Sequence, residues 1–232
     1  MGEVSPKIVH TLSLLMILTS FAAVEAGNLR HATVAYLFQA LLICGLLTVY
    51  SVENSALLYW AGTALVTKAL LPPLFLWKAT EKSQQETKPL IGFGPSSVLA
   101  ILILIVMYVF THAHASVFVQ TALGSGSTPY EVGEGLISLA ETNLAVAFTV
   151  FTLGIYAILT RRDAVKTVIG LCLLENGVHL SLVSLAPTMR ETALAGIATE
   201  VVITVWLLLY VISGIRDRFG TTDTSQLTEL HW

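Results

Sequence analysis

The sequence predicts an all-α integral membrane protein of about seven transmembrane helices, N-terminus outside and C-terminus cytoplasmic. Three observations lead there. Apolar residues make up 55% of the 232-residue chain and charged residues only 12%, against about a quarter charged in an ordinary globular domain. Several apolar runs exceed the roughly 18–20 residues that a helix needs to cross the hydrocarbon. Those runs are continuous rather than alternating, which argues against a β-barrel. The net charge of −3 comes with no basic stripe, so lipid is an expected partner and nucleic acid is not.

Helices are expected at 8–26, 32–52, 55–78, 96–117, 136–160, 165–186 and 193–215. The first has a rival reading. Lys7, the apolar run Leu12 to Val24 and the ending Val24-Glu25-Ala26 loosely resemble a cleavable secretory signal. Glu3 in the basic region and Glu25 beside the cleavage site argue against it, and the segment is expected to stay as a helix. Val52-Glu53-Asn54 reads as a tight hairpin, Lys78 to Gly94 as a polar loop, and Gly94-Pro95-Ser96-Ser97 as the start of the fourth helix. Gly124-Ser-Gly-Ser-Thr-Pro129 is a surface loop, and the residues after Arg216 form a solvated tail. Neither a soluble domain nor an internal repeat is visible. Cys44 and Cys172 lie inside apolar runs and are expected to be packed thiols.

Positive charges set the orientation. With seven helices, Arg30, Lys78, Lys82, Lys88, Arg161, Arg162, Lys166, Arg216 and Arg218 all fall on one side. The other side receives Lys7 and Arg190, together with Glu131 and Glu134. The positive-inside rule makes the richer side cytoplasmic. An even count of helices would scramble this asymmetry.

Charged residues inside the apolar runs are the candidates for chemistry. Glu175 and Glu200 sit near the middle of the last two runs, where an acidic residue costs roughly 2.5–3.5 kcal/mol on insertion scales. By helical rise each lies about 12–15 Å deep. His179 and Asn176 stand beside Glu175, and Thr204 lies one turn beyond Glu200. Titratable groups with hydroxyl and amide neighbours are what a proton path needs. The blander alternative is that protonated glutamates only tie helices together.

Lys68 lies deep in the third helix, just before Leu70-Leu-Pro-Pro-Leu74, where paired prolines interrupt the backbone ladder. It is expected to pair with a buried carboxylate, for instance of a partner protein, rather than to snorkel. Glu141 stands at the outer end of the fifth helix, close to Asn143, as a headgroup-level carboxylate or an access point for protons. Gln39 is expected to bond across helices. His112 and His114 lack a third ligand nearby, so no metal site is expected. Phosphate loops, metal-binding cysteine pairs and nucleophile elbows are missing, and the chain is expected to carry no cofactor.

One stretch has a familiar form. Thr160-Arg-Arg-Asp-Ala-Val-Lys-Thr-Val-Ile-Gly-Leu-Cys-Leu-Leu-Glu-Asn-Gly-Val-His179 sets a basic turn before Ile-Gly, an apolar run and Glu-Asn-Gly. It resembles the hydrogenase-4 component E family, membrane subunits of formate hydrogenlyases and other group 4 nickel-iron hydrogenases. Lys68-Ala-Leu-Leu-Pro-Pro-Leu74 is similar to that family's lysine–proline pattern, so the resemblance covers most of the chain. The last three helices also resemble the K-type subunit of respiratory complex I and the C-type subunit of cation/proton antiporters. Glu200 matches the second membrane glutamate of the complex I subunit. Glu175 falls one turn late against that pattern, where Cys172 holds the glutamate position.

The resemblance implies a noncatalytic subunit of a multisubunit oxidoreductase in the inner membrane, and the polar residues within and at the ends of the apolar runs make Lys68, Glu141, Glu175, His179 and Glu200 the expected proton path. Nickel-iron and iron-sulfur clusters would belong to soluble redox partners, and the membrane partners would include antiporter-like subunits. It also divides the chain into a four-helix part at 1–135, a three-helix K-type part at 136–215, and a polar cytoplasmic tail at 216–232. The alternatives are a subunit of a cation/proton antiporter and a structural membrane anchor.

Overall fold

Every apolar run with a described backbone is helical in the computed structural model, which describes residues 6–52, 55–81, 92–123, 134–185 and 191–224. The expected hairpin at Glu53-Asn54 and the loop at 124–129 lie outside these residues, as does most of the loop after Lys78. The helices are α1 (Pro6–Glu25), α2 (Leu29–Tyr50), α3 (Ala56–Ala64), α4 (Leu71–Glu81), α5 (Phe93–Leu123), α6 (Glu134–Thr160), α7 (Ala164–Leu185) and α8 (Glu191–Phe219). A π-helical turn, Leu65–Leu70, joins α3 to α4, so these form one rod. Seven rods result. Five of them, α1, α2, α5, α6 and α7, contain spans long and apolar enough to cross a membrane by length and composition alone.

Local chemistry explains the boundaries. Asn28 caps α2 by accepting from the Arg30 N–H at 2.8 Å. Asp163 caps α7, its Oδ1 accepting from the Val165 N–H at 2.8 Å. Pro95 falls in the first turn of α5, where its missing N–H costs nothing. α4 runs to Glu81, three residues past the expected end, and α8 runs to Phe219 rather than 215. Gly220, at φ +71°, stops α8 in the left-handed conformation that favours glycine.

Past that stop, the tail does not begin as solvated chain. Thr222 and Thr221 are buried, and the Ala164 N–H donates to the Thr222 carbonyl at 3.1 Å. The Thr222 hydroxyl donates to Asp163 Oδ2 at 2.6 Å. Backbone polar groups left over at a helix start need partners, and the returning chain supplies them.

The closest packing in the bundle is α6 against α7, and glycines make it. A Cβ on Gly177 would lie 2.7 Å from the Ala147 carbonyl oxygen and from the Phe151 nitrogen, and one on Gly154 would lie 2.6 Å from the Leu174 nitrogen. Without a hydrophobic drive between helices in lipid, such close backbone approach is a main source of cohesion. α1 packs on α2 and α6, α5 on α6, and the α3–α4 rod on α2 and α8. α1 is thus fully integrated, with Val9, Ser13, Met16 and Ser20 all buried.

The candidate proton-path site

The site begins with a backbone defect. Pro72 has no N–H to give the carbonyl four residues earlier, which is that of Lys68. The ladder slips into a π turn there, with the Leu71 N–H donating to the Val66 carbonyl. The Tyr36 hydroxyl of α2 takes the vacated place, donating to the Lys68 carbonyl at 3.3 Å. The paired prolines therefore do what the sequence predicts, and they turn Lys68 into the bundle.

Lys68 is 1% exposed. Its Nζ donates to Asn176 Oδ1 at 2.7 Å, lies 3.0 Å from Glu175 Oε1, and contacts His179 Nδ1. An ammonium has three N–H donors, and three polar side chains surround this one. His179 Nδ1 thus faces both the Lys68 amine and the Glu175 carboxylate. Glu175 and His179 share a face as their spacing predicts, with Glu175 Oε1 at 3.2 Å from His179 Nδ1. The expected carboxylate partner of Lys68 is thus within the same chain, not on another protein.

Asn176 Nδ2 in turn donates to Gln39 Oε1 at 2.6 Å, the interhelical bond expected of Gln39. One face of Gly177 lies against α6 while Glu175, Asn176 and His179 face the π turn and α2. The Glu-Asn-Gly run thus combines close packing and charge on one helical turn. Trp60 of α3 presents its ring edge-on to His179, centroids 5.5 Å apart. His179 Nε2, Gln39 Nε2 and Trp60 Nε1 are buried without a hydrogen-bond partner among the described residues.

The other expected site residues lie apart. Glu141 is half-buried where the apolar span of α6 begins, and no described hydrogen bond or ion pair joins it to Lys68. Nearby, Asn143 links three helices: Ser13 of α1 donates to its Oδ1 at 2.7 Å, and its Nδ2 donates to the Tyr50 hydroxyl of α2. Glu200 falls within α8, but its side chain lies outside the described residues. Cys44 and Cys172 are free and buried, as packed thiols should be.

A second buried polar cluster was not expected. Arg161 Nη2 lies 2.5 Å from Glu25 Oε1 and 3.0 Å from the Ser96 hydroxyl. Ser96 also bonds Glu25 Oε1 and the Tyr156 hydroxyl, at 2.8 and 2.6 Å. Buried Lys166 donates to the carbonyls of Ala23 and Val24 at 2.7 and 3.0 Å, satisfying the C-terminal end of α1. The sequence held one signal for this cluster, a carboxylate at the end of an apolar run with no neighbouring cation. Arg161, by contrast, reads only as a topology charge. Among the described residues, no group of three or more histidine, cysteine, aspartate and glutamate side chains could hold a metal ion.

Apolar helices closed around a buried lysine–glutamate pair define a multi-pass membrane protein. Comparison with known proteins gives its family. Over 225 residues the chain is 31% identical to "Hydrogenase-4 component E" of Escherichia coli K12, covering 96% of this chain and 97% of that protein. The protein of the same name from Shigella flexneri matches equally. The chain belongs to the hydrogenase-4 component E family. Residues 142–232 match the family model for NADH-ubiquinone/plastoquinone oxidoreductase chain 4L. Consistent with this, "NAD(P)H-quinone oxidoreductase subunit 4L" of a Nostoc species is 33% identical over 96 residues, which are 38% of this chain and 94% of that one. No solved structure matches.

Proposed function

We propose that this chain is a noncatalytic membrane subunit of a complex I-like assembly of the group 4 membrane-bound hydrogenase type, and that it contributes buried carboxylates to redox-driven proton translocation. Family membership supports the assembly. The observation that carries the proton role is the buried contact of Lys68 with Glu175 and His179, deep in the bundle and beside a broken helix. Charged groups at such depth are rare without a path to serve.

A proton arriving on Glu175 neutralises the carboxylate and weakens its hold on Lys68. The ammonium then rests on Asn176 and His179, and its flexible stem lets it shift. Glu200 is the second carboxylate of this path, and Glu141 is its access point at the outer end. Threading the sequence as seven helices puts most lysines and arginines on one side, which supports an N-terminus outside and a C-terminus in the cytoplasm. Redox partners carry the nickel-iron and iron-sulfur centres, and antiporter-like subunits continue the path through the inner membrane.

Glu200→Gln and Glu200→Asp test the relay in membrane vesicles, read as protons moved per electron transferred. The relay requires Gln to abolish most pumping while subunit content stays normal, and Asp to keep part of it. A structural glutamate gives the reverse order. Normal pumping in Glu200→Gln would sink the relay role.

A further inference from the structure

A groove of about 280 Å³ runs between the ends of α4 and α8, lined by Phe75, Lys78, Trp206, Leu209, Tyr210 and Arg216 among others. Its two ends differ in chemistry. At the helix ends stand two cations, exposed Lys78 and half-buried Arg216. Arg216 Nη1 donates to the Ala79 carbonyl at 2.9 Å, which fixes the guanidinium at the mouth and leaves other N–H donors of its fork for a ligand. Trp206 lies about 15 Å deeper along α8 by helical rise, with its ring stacked on Tyr210 at 6.3 Å between centroids. Arg30 sits over the Trp77 ring at 5.8 Å beside the same end, the cation–aromatic arrangement typical of the headgroup level.

A cationic mouth at headgroup level above an apolar, aromatic shaft complements one kind of molecule. We propose that this groove binds an anionic phospholipid, its phosphodiester between Lys78 and Arg216 and an acyl chain along Leu209 and Trp206. Two cations meet one phosphate charge, so a lipid with a net negative headgroup is favoured over a zwitterionic one, whose ammonium faces the same cations. The inference does not depend on the proton path.

Brominated acyl chains quench tryptophan on contact, and Trp206 lies in the groove. The full chain in its assembled complex, in nanodiscs of phosphatidylcholine, is titrated with brominated phosphatidylglycerol or brominated phosphatidylcholine. Subtracting the signal of Trp206→Phe isolates Trp206. Half-maximal quenching is expected at a several-fold lower fraction of the anionic lipid, and Lys78→Gln with Arg216→Gln should make the two lipids equal. Should the double variant fail to assemble, Lys78→Gln alone is expected to reduce the selectivity, since its exposed amine makes no described hydrogen bond or ion pair within the chain. Equal quenching by both lipids in the parent overturns the proposal. So does absence of quenching in the complex when the isolated chain shows it, because a protein partner then covers the groove.

Discussion

Lys68 Nζ stands 3.0 Å from Glu175 Oε1, joining the π turn between α3 and α4 to the middle of α7. The pair therefore ties the N-terminal helices to the C-terminal ones in the centre of the bundle. Taking two charges out of water is costly unless their remaining donors and acceptors are satisfied. Here Asn176 and His179 meet the lysine, and Gln39 holds Asn176 in place. The chain itself supplies the countercharge, so Lys68 gives no reason for instability without companion subunits.

Removing one partner should hurt more than removing both. Lys68→Met leaves Glu175 without its cation, and breaking such a pair from one side costs about 3–5 kcal/mol. Lys68→Met combined with Glu175→Gln should recover most of that loss in thermal midpoint and in assembly on native gels. Pumping should stay low in the double variant if the pair carries protons. Equal loss of assembly in the double and single variants would count against an energetic coupling between the two.

Gly177 should tolerate no side chain. Its Cβ would press on the Ala147 oxygen and the Phe151 nitrogen, both backbone atoms at 2.7 Å that cannot swing away. Gly177→Ala should lower stability by about 1–3 kcal/mol through overpacking. Gly214→Ala is the control, since nothing lies within 4 Å of its Cβ position. Comparable thermal midpoints for the two variants would contradict the close α6–α7 packing.

Glu25 should matter as much as the expected site residues. Glu25→Gln keeps a hydrogen-bond acceptor for Ser96 but leaves the fully buried Arg161 guanidinium without its countercharge. The expected result is a loss of about 3–5 kcal/mol, seen as reduced yield of intact chain. Glu25→Asp should do less harm, because the charge survives. Unchanged yield in Glu25→Gln would show that the pair is dispensable.

Asp163 gives a pH dependence. Burial raises its carboxyl above the ordinary value of 3.8, against the opposing hydrogen bonds from Thr222, Val165 and Lys166. A raised carboxyl means the folded chain holds a proton the unfolded chain has released, so stability falls as pH climbs from 3.8 through the folded-state value. The contribution is complete below 3.8 and is lost above the raised value. Subtracting the thermal midpoints of Asp163→Asn from those of the parent, pH by pH, should show this downward slope. A difference that rises with pH would contradict it.

Much of the site was legible in the sequence because hydrocarbon permits so few polar residues. Lys68, Glu175 and His179 stand out against their runs, and the Pro72-Pro73 break marks where a carbonyl loses its donor. Ser96, Tyr156 and Arg161 do not stand out, because each lies near a helix end, where polar residues are ordinary, and Glu25 alone hinted at their cluster. Their meeting depends on three helices, α1, α5 and α6, bringing these ends to one level.

The sequence alone determined the all-helical membrane class, since continuous apolar runs leave the backbone only internal hydrogen bonds to make. It also determined the charged residues buried at depth and the family, through the Glu-Asn-Gly and lysine–proline patterns. Only the tertiary structure decided which charge meets which. Helical periodicity sets the face a residue occupies on its own helix, but not which neighbouring helix that face meets. The glycine contacts that press α6 onto α7, and the return of Thr222 to Asp163, belong to packing between distant segments. Local sequence carries no record of that packing, because its energy arises only when the helices come together.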